Sequence, residues 1–254
     1  MRTNPTERFS NRVENYVKYR PGYPAAIIDL LAAECHLTST SIIADIGSGT
    51  GILARLFLEN GNSVFGVEPN QPMRAAAEQF LKGYANFTSI AATAEATTLP
   101  DDSVDFVTAG QSFHWFRAAE AWAEFGRILK PVGWIVLIWN ERQLETSPFL
   151  QAYEQLLQRY AVDYQDVSHQ SIRNIEFKAL FGEELQEKTF ANSQYFDYDG
   201  LKGRLLSSSY APLAGHPNYE PMLEYLKTIF AAHQVEGRIK FNYTTRVYYG
   251  RPTA

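Results

Sequence analysis

From residue 24 to about 140 the chain alternates between short, near-continuous apolar runs and stretches whose apolar positions recur at helical spacing. SIIADI (41–46), SVFGVE (63–68), NFTSIAA (86–92), SVDFVTAG (103–110) and GWIVLIWN (133–140) read as five buried strands. Pro24 opens a helix carrying Ile27, Ile28, Leu30 and Leu31, and ILARLFLENG reads as a helix closed by Gly61. Pro72 lies in the first turn of the next helix, and a helix from about Ala118 to Leu129 ends at Lys130-Pro131. Strands that are apolar throughout and alternate with helices predict a parallel sheet covered on both faces.

The tail follows another period. RIKFNYTTRVYYG (238–250) alternates strictly, placing Ile239, Phe241, Tyr243, Thr245, Val247 and Tyr249 on one face. A shorter strand-like run around Glu187–Phe196 precedes it, with helices near 200–207 and 219–235 between the two. These late strands are expected to form an antiparallel pair at one sheet edge. Residues 145–183, rich in Gln and Tyr at helical spacing, interrupt the alternation and read as a cap insertion over the sheet's open end. The expected architecture is a single α/β domain over 1–254. Its core is a doubly wound, mostly parallel seven-stranded sheet with an antiparallel C-terminal edge hairpin and a helical cap.

Composition narrows the chemistry. A formal charge of −5 lacks the basic footprint of a nucleic-acid binder. Cys35 is the sole cysteine, so there is no internal disulfide or thiolate cluster, as suits a reducing cytoplasm. The longest apolar run, Trp134 to Trp139, is far short of a membrane span, and the polar opening MRTNPTERFS is no secretory signal. No metal site is expected: His36, His114, His169, His216 and His233 show no pairing at ligand spacing. A G-x-S-x-G elbow is absent too.

ADIGSGTGILA (44–54) places Gly47, Gly49 and Gly51 behind the first strand, where a helix begins. Without Cβ atoms the loop can press its backbone against a ligand beyond the strand's carboxyl end. Dinucleotide enzymes use G-x-G-x-x-G at this turn; here the spacing is G-x-G-x-G, and Ile52 stands where the third glycine of that motif belongs. Glu68 ends the second strand, 21 residues after Gly47, where a carboxylate can accept both ribose hydroxyls of an adenosine. Loop and acid together point to an adenosine ligand.

DIGSGTG (45–51), VEPN (67–70), TAEAT (93–97), LPDDSVD (99–105) and QSFHWF (111–116) resemble, in order, the motifs of class I S-adenosylmethionine-dependent methyltransferases. The similarity is greatest to the small-molecule branch that carries the ubiquinone/menaquinone-biosynthesis type of domain. It spans about residues 10 to 140, and SSSYAP (207–212) and the TTRVYYG strand extend it. The resemblance implies methyl transfer from S-adenosylmethionine, leaving S-adenosylhomocysteine, to a small organic acceptor. It places Gly47, Gly49 and Gly51 along the methionine and ribose parts of the donor, with Asp45 orienting the loop or holding the amino group through water. Glu68 would take the ribose hydroxyls, and Pro69 and Met73 pack near the adenine. Ala94 offers a backbone N–H to that ring with Glu95 beside it, and Gln111 sits beside the methionine moiety. Thr93 stands where many relatives have an aspartate. The family also implies that residues 1–24 form a lid, with Tyr16, Tyr19 and Arg20 facing the donor.

His114 is the candidate general base, flanked by Phe113, Trp115 and Phe116. Its bland alternative is a helix cap in an aromatic wall. Tyr210 is a candidate for the pocket rim. Arg142 and Arg204 are able to hold a carboxylate, but isolated arginines are ordinarily solvated surface. Two other functions share much of this pattern: a nicotinamide-dependent oxidoreductase, which leaves TAEAT and QSFHWF unexplained, and a non-catalytic S-adenosylmethionine-binding protein. The sequence leaves monomer and homodimer open.

Overall fold

Each apolar run between residues 41 and 140 becomes a strand, and the strands join a single sheet. The computed structural model describes residues 12–145, 147–164 and 177–252. In chain order the strands are β1 (Ile42–Ile46), β2 (Ser63–Val67), β3 (Phe87–Ile90), β4 (Val104–Gly110), β5 (Leu129–Arg142), β6 (Gln186–Phe196) and β7 (Ile239–Gly250). The helices are α1 (Val13–Tyr19), α2 (Ala26–Cys35), α3 (Ile52–Glu59), α4 (Gln71–Phe80) and α5 (Ala118–Ile128), followed by α6 (Pro148–Tyr160), α7 (Phe177–Phe181), α8 (Tyr198–Leu206) and α9 (Tyr219–His233). The sheet order is β3-β2-β1-β4-β5-β7-β6. β1 to β5 run parallel, and β7 lies antiparallel to both β5 and β6.

Alternate residues of the central strands feed two cores, one on each face. Ala44, Val107, Leu137 and Trp139 pack with Ala121, Phe125 and Ile128 of α5. Their neighbours Ile43, Phe106, Val136 and Ile138 pack with α2 and α3 through Ile27, Leu31, Leu53 and Phe57. A third core joins α6, α8 and α9 to the start of β7 through Ile239, Phe241 and Tyr243, while Val247 and Tyr249 further along β7 belong to the α2/α3 core. The strict alternation of the tail thus serves two cores with one face of one strand.

The structure corrects the start of the fifth strand. Sequence pattern places a break at Lys130-Pro131 and a strand from 133, but β5 begins at Leu129 and runs through the proline. Leu129 pairs with Val104, and the register then shifts so that Trp134 pairs with Phe106. The extra residues form an irregular bulge where Pro131, which has no N–H to donate, does no harm to the ladder. β5 also runs on to Arg142, two residues beyond the expected end. The expected edge hairpin is an antiparallel pair whose members are joined through α8 and α9, with no tight turn.

Residues 1–11 of the proposed lid, and residues 146 and 165–176 of the proposed cap, lie outside the described residues. The described part of the N-terminal segment lies against α8: Tyr19 sits over Gly203, where an added Cβ would come 2.0 Å from the ring. In the cap segment, α6 packs with α9 in the third core.

Gly51 illustrates how packing sets the glycine loop. It precedes α3 with φ +82°, and a Cβ there would fall 2.6 Å from Leu81 Cδ1 at the end of α4. Gly51→Ala is expected to lower stability by about 1–3 kcal/mol through left-handed strain and the displaced leucine. Urea denaturation measures this, and an unchanged midpoint would refute it.

Candidate functional site

The site is assembled at the carboxyl ends of the parallel strands, the favoured ligand position in an open α/β sheet. Behind β1 the chain turns sharply, and the Gly47 and Ser48 N–H groups both donate to the Val67 carbonyl at 2.8 and 3.1 Å. Gly47 and Gly49 have φ of +64° and +56°. A Cβ at Gly47 would meet Ser112 Cβ at 2.8 Å, so this glycine is demanded by the segment after β4, whose Ser112 hydroxyl donates to the Ile46 carbonyl. At Gly49 the closest neighbour of an added Cβ would be Met73 at 3.4 Å.

Glu68 holds this loop in place. Its Oε2 accepts the Gly49 N–H at 3.0 Å and its Oε1 the Asn70 N–H at 2.8 Å. Asn70 in turn caps α4, its Oδ1 accepting the Met73 N–H. Burial pushes the Glu68 carboxyl upward, against the pull of its two N–H donors and of Arg74. A carboxylate oxygen carries lone pairs beyond the single bond each makes here, so Glu68 retains acceptor capacity.

Two adjoining cavities open above these groups. The larger, about 350 Å³, is lined by Gly47, Gly49, Glu68, Pro69, Met73, Ala94, Glu95 and Gln111, with Tyr16, Ser112 and Phe116 completing its walls. The smaller, about 100 Å³, is lined by Arg20, Asp45, His114, Asn140, Arg142, Tyr164, Arg204 and Tyr210. Tyr16, Gly47, Gly49, Gly110, Gln111 and Trp115 line both. Of the residues singled out from sequence, Tyr19 and Gly51 line neither cavity: Tyr19 packs on α8 and Phe196, and Gly51 on Leu81.

The electrostatics differ between the groups. Asp45 is fully buried; Thr108 donates to its Oδ1 at 3.1 Å, while its Oδ2 has no partner. Burial raises its carboxyl to about 7. His114 sits in a 3-10 turn (Phe113–Trp115), its Nδ1 buried without a partner and its ring 4.8 Å from that of Trp115. Burial drives its imidazole down to about 4. That leaves it neutral but weakly basic at neutral pH.

The arginines overturn the surface expectation. Arg142 and Arg204 are only 8% and 4% exposed. Arg142 pairs with Glu154 at 2.7 Å and donates to the hydroxyls of Tyr164 and Tyr210. Arg204 Nε donates to the Tyr243 hydroxyl at 3.0 Å. Sequence reasoning also missed Asn140, whose Nδ2 donates to the Gly22 carbonyl and whose Oδ1 accepts from Thr245, tying the N-terminal segment to the sheet. A lone polar residue closing an apolar strand was the available signal. Among the described residues no group of three or more His, Cys, Asp and Glu is placed to hold a metal ion, and no helix is long and apolar enough to cross a membrane.

Residues 44–137 match the family profile of the methyltransferase domain. An uncharacterised methyltransferase-like protein of Schizosaccharomyces pombe is 35% identical over 156 residues, 61% of this chain and 59% of that protein. The chain therefore spans less than two thirds of that relative's length. A solved structure from Anaeromyxobacter dehalogenans, assigned as a type II methyltransferase, superposes with a TM-score of 0.69 at 21% identity, covering 92% of this chain and 98% of that one. A methyltransferase from Geobacter sulfurreducens, solved with S-adenosyl-L-homocysteine, gives 0.55 at 17% identity, covering 97% and 98%. At these identities the likeness establishes the shared fold.

The lowered basicity of His114 has a measurable consequence. Its folded-state value lies below the ordinary imidazole value of 6.5, so its contribution to stability is complete above pH 6.5 and is lost as pH falls toward about 4. Nuclear magnetic resonance is expected to find one of the five imidazoles still neutral at pH 5. His114→Phe should flatten the acid loss of stability by about 3 kcal/mol. Five imidazoles titrating between pH 6 and 7 would contradict this placement.

Proposed function

We propose that this chain, whose residues 44–137 belong to the methyltransferase domain family, transfers a methyl group from S-adenosylmethionine to a small organic acceptor. One observation carries the reading: a glycine-loop cavity closed by a ribose-type acid, Glu68, adjoins a second cavity across Gln111. The residues present suit such a donor. Gly49 lines the larger cavity with a left-handed backbone and no side chain, and Asp45 Oδ2 is a buried acceptor still lacking a partner.

Bound there, S-adenosylmethionine supplies a methyl on a sulfonium; the carbon forms its new bond with an acceptor lone pair, while sulfur keeps the old bonding pair and becomes a thioether. Glu68 takes the ribose hydroxyls through its remaining lone pairs. Pro69, Met73, Ala94 and Glu95 enclose the adenine, and Asp45 and Gln111 lie toward the methionine part. Tyr16 and Trp115, which line both cavities, flank the junction, although Arg20 already lies 4.8 Å over the Tyr16 ring. The chain's work is to align two molecules and keep water out, and such positioning is worth roughly 7–11 kcal/mol. Residues 12–24 serve as the lid, held to the sheet through Asn140 and Asn192, both of which donate to the Gly22 carbonyl. His114 accepts a proton only from acceptors that give it up readily, given its weak basicity.

A compact acceptor fits an acidic chain with no basic stripe better than nucleic acid does. The lone cysteine, Cys35, is a buried free thiol, which suits a cytoplasmic setting.

Calorimetric titration with S-adenosylhomocysteine tests the donor reading. Saturable heat is expected, and none at millimolar ligand refutes it. Glu68→Ala should weaken that binding roughly 10- to 100-fold, through about 1.5–3 kcal/mol of lost charged acceptance. An unchanged dissociation constant would show that Glu68 serves the loop alone.

A further inference from the structure

Three guanidinium groups from distant parts of the chain meet at the smaller cavity. Arg20 follows α1, Arg142 ends β5 and Arg204 lies in α8, and all three line the same space, so that Arg20, which the family resemblance turns toward the donor, lines the smaller cavity and not the larger. Arg142 donates to the Tyr210 hydroxyl at 3.2 Å; burial raises this phenol, yet the positive charges of Arg142, Arg204 and Arg20 and a hydrogen bond with Ser208 bring it below its ordinary value.

Acidic partners are scarce here. Arg142 has Glu154, but among the described residues neither Arg20 nor Arg204 forms an ion pair. Arg20 donates to the Ser207 carbonyl, and Arg204 to the hydroxyls of Tyr243 and Ser208. The Nε atoms of both Arg20 and Arg142 are buried without a partner. Elsewhere the chain treats arginine differently. Arg127 lies between Glu124 and Asp101, and Arg246 between Glu141 and Glu187. The one acid among the residues lining the smaller cavity is Asp45 at the start of the glycine loop, and burial raises its carboxyl to about 7. A guanidinium taken out of water without a counter-ion is unfavourable unless another charge arrives. Its planar fork matches two oxygens of one anionic group.

We infer, resting on the methyl-transfer reading above, that the smaller cavity is an anion site that seats a carboxylate or phosphate group of the acceptor between Arg20, Arg142 and Arg204. The hydroxyls of Tyr164 and Tyr210 stand beside the guanidiniums as further polar partners. At about 100 Å³ the cavity suits one compact anionic end, with the rest of the acceptor reaching past Gln111 toward the donor. Amine acceptors are disfavoured by like charge.

The test uses the whole chain, with and without saturating S-adenosylhomocysteine. Acetate and inorganic phosphate are titrated by calorimetry, acetamide and glycerol serving as neutral controls. Saturable anion binding is expected, at least tenfold tighter than the controls and at least tenfold weaker in Arg20→Gln and Arg204→Gln, with S-adenosylhomocysteine affinity in Arg204→Gln within about twofold of the parent. Arg20→Gln decides the matter if Arg204→Gln does not fold. A labelled-methyl screen then compares carboxylic acids and phosphate monoesters with their amides, alcohols and amines, and whichever anionic class takes label identifies the source. Absent anion binding, binding untouched by the substitutions, or label confined to neutral or amine acceptors overturns the inference. Anion binding that persists while S-adenosylhomocysteine gives no heat would instead overturn the methyl-donor reading and leave the anion site standing.

Discussion

A single buried carboxylate joins the parts of this site. Glu68 accepts one backbone N–H from the loop after β1 and another from the start of the α4 turn, so both carboxyl oxygens are engaged before any ligand arrives. Gly47 and Ser48 are tied to β2 through the Val67 carbonyl, and without Glu68 the left-handed backbone at Gly49 would lose its own tie. The Asn70 cap, and with it the position of Met73 against the larger cavity, would lose their anchor. The acid is costly to bury, its carboxyl being pushed upward, and two backbone N–H bonds work against that shift. Loop geometry and ligand chemistry therefore rest on the same atoms.

The other half of the site depends on how far β5 runs. The strand pairs with β7 up to Arg142↔Tyr243, and this brings a guanidinium from the sheet beside one from α8, which bonds the Tyr243 hydroxyl. β7 makes the arrangement possible because its inward face changes character along its length. It is aliphatic and aromatic under α2 and α3 at Val247 and Tyr249, hydroxylated at Thr245, and aromatic again under α6 and α9. A strand that packed one core alone would leave Asn140 and Arg204 without these partners.

Much of this was legible in the chain. The apolar runs yielded every parallel strand because burial on both faces leaves little room for polar interruption. The strict alternation of 239–249 announced an antiparallel strand near a sheet edge, which is β7, one strand in from the edge strand β6. Gly47, Gly49 and Glu68 were legible as one unit, because a turn of this shape requires glycine and the acid lies one strand away. What escaped has physical reasons. Pro131 reads as a breaker unless the bulge opposite Val104 is known, and bulges are set by pairing, which is tertiary. Tyr19 and Gly51 share motifs with residues that line the cavities, but their side-chain space is taken by Gly203 and Leu81, contacts separated from them by long stretches of chain. Arg142 and Arg204 lie 62 residues apart in sequence, so nothing local shows that they share a cavity.

The two halves meet at Gln111, and its backbone shows why they are kept distinct. A non-glycine residue with φ +58° is uncommon, and it persists here because its N–H donates to the Ile138 carbonyl and its Nε2 to the Asn140 carbonyl, both on β5. The turn lets one side chain line both cavities at the end of β4. On one side stands the carboxyl of Glu68, and beyond Gln111 the guanidiniums line the smaller cavity together with Asp45. The β4–β5 ladder, with Gln111 in a left-handed turn across its end, thus sets two different demands side by side: hydroxyls for the acid of the larger cavity and an anion for the arginines of the smaller.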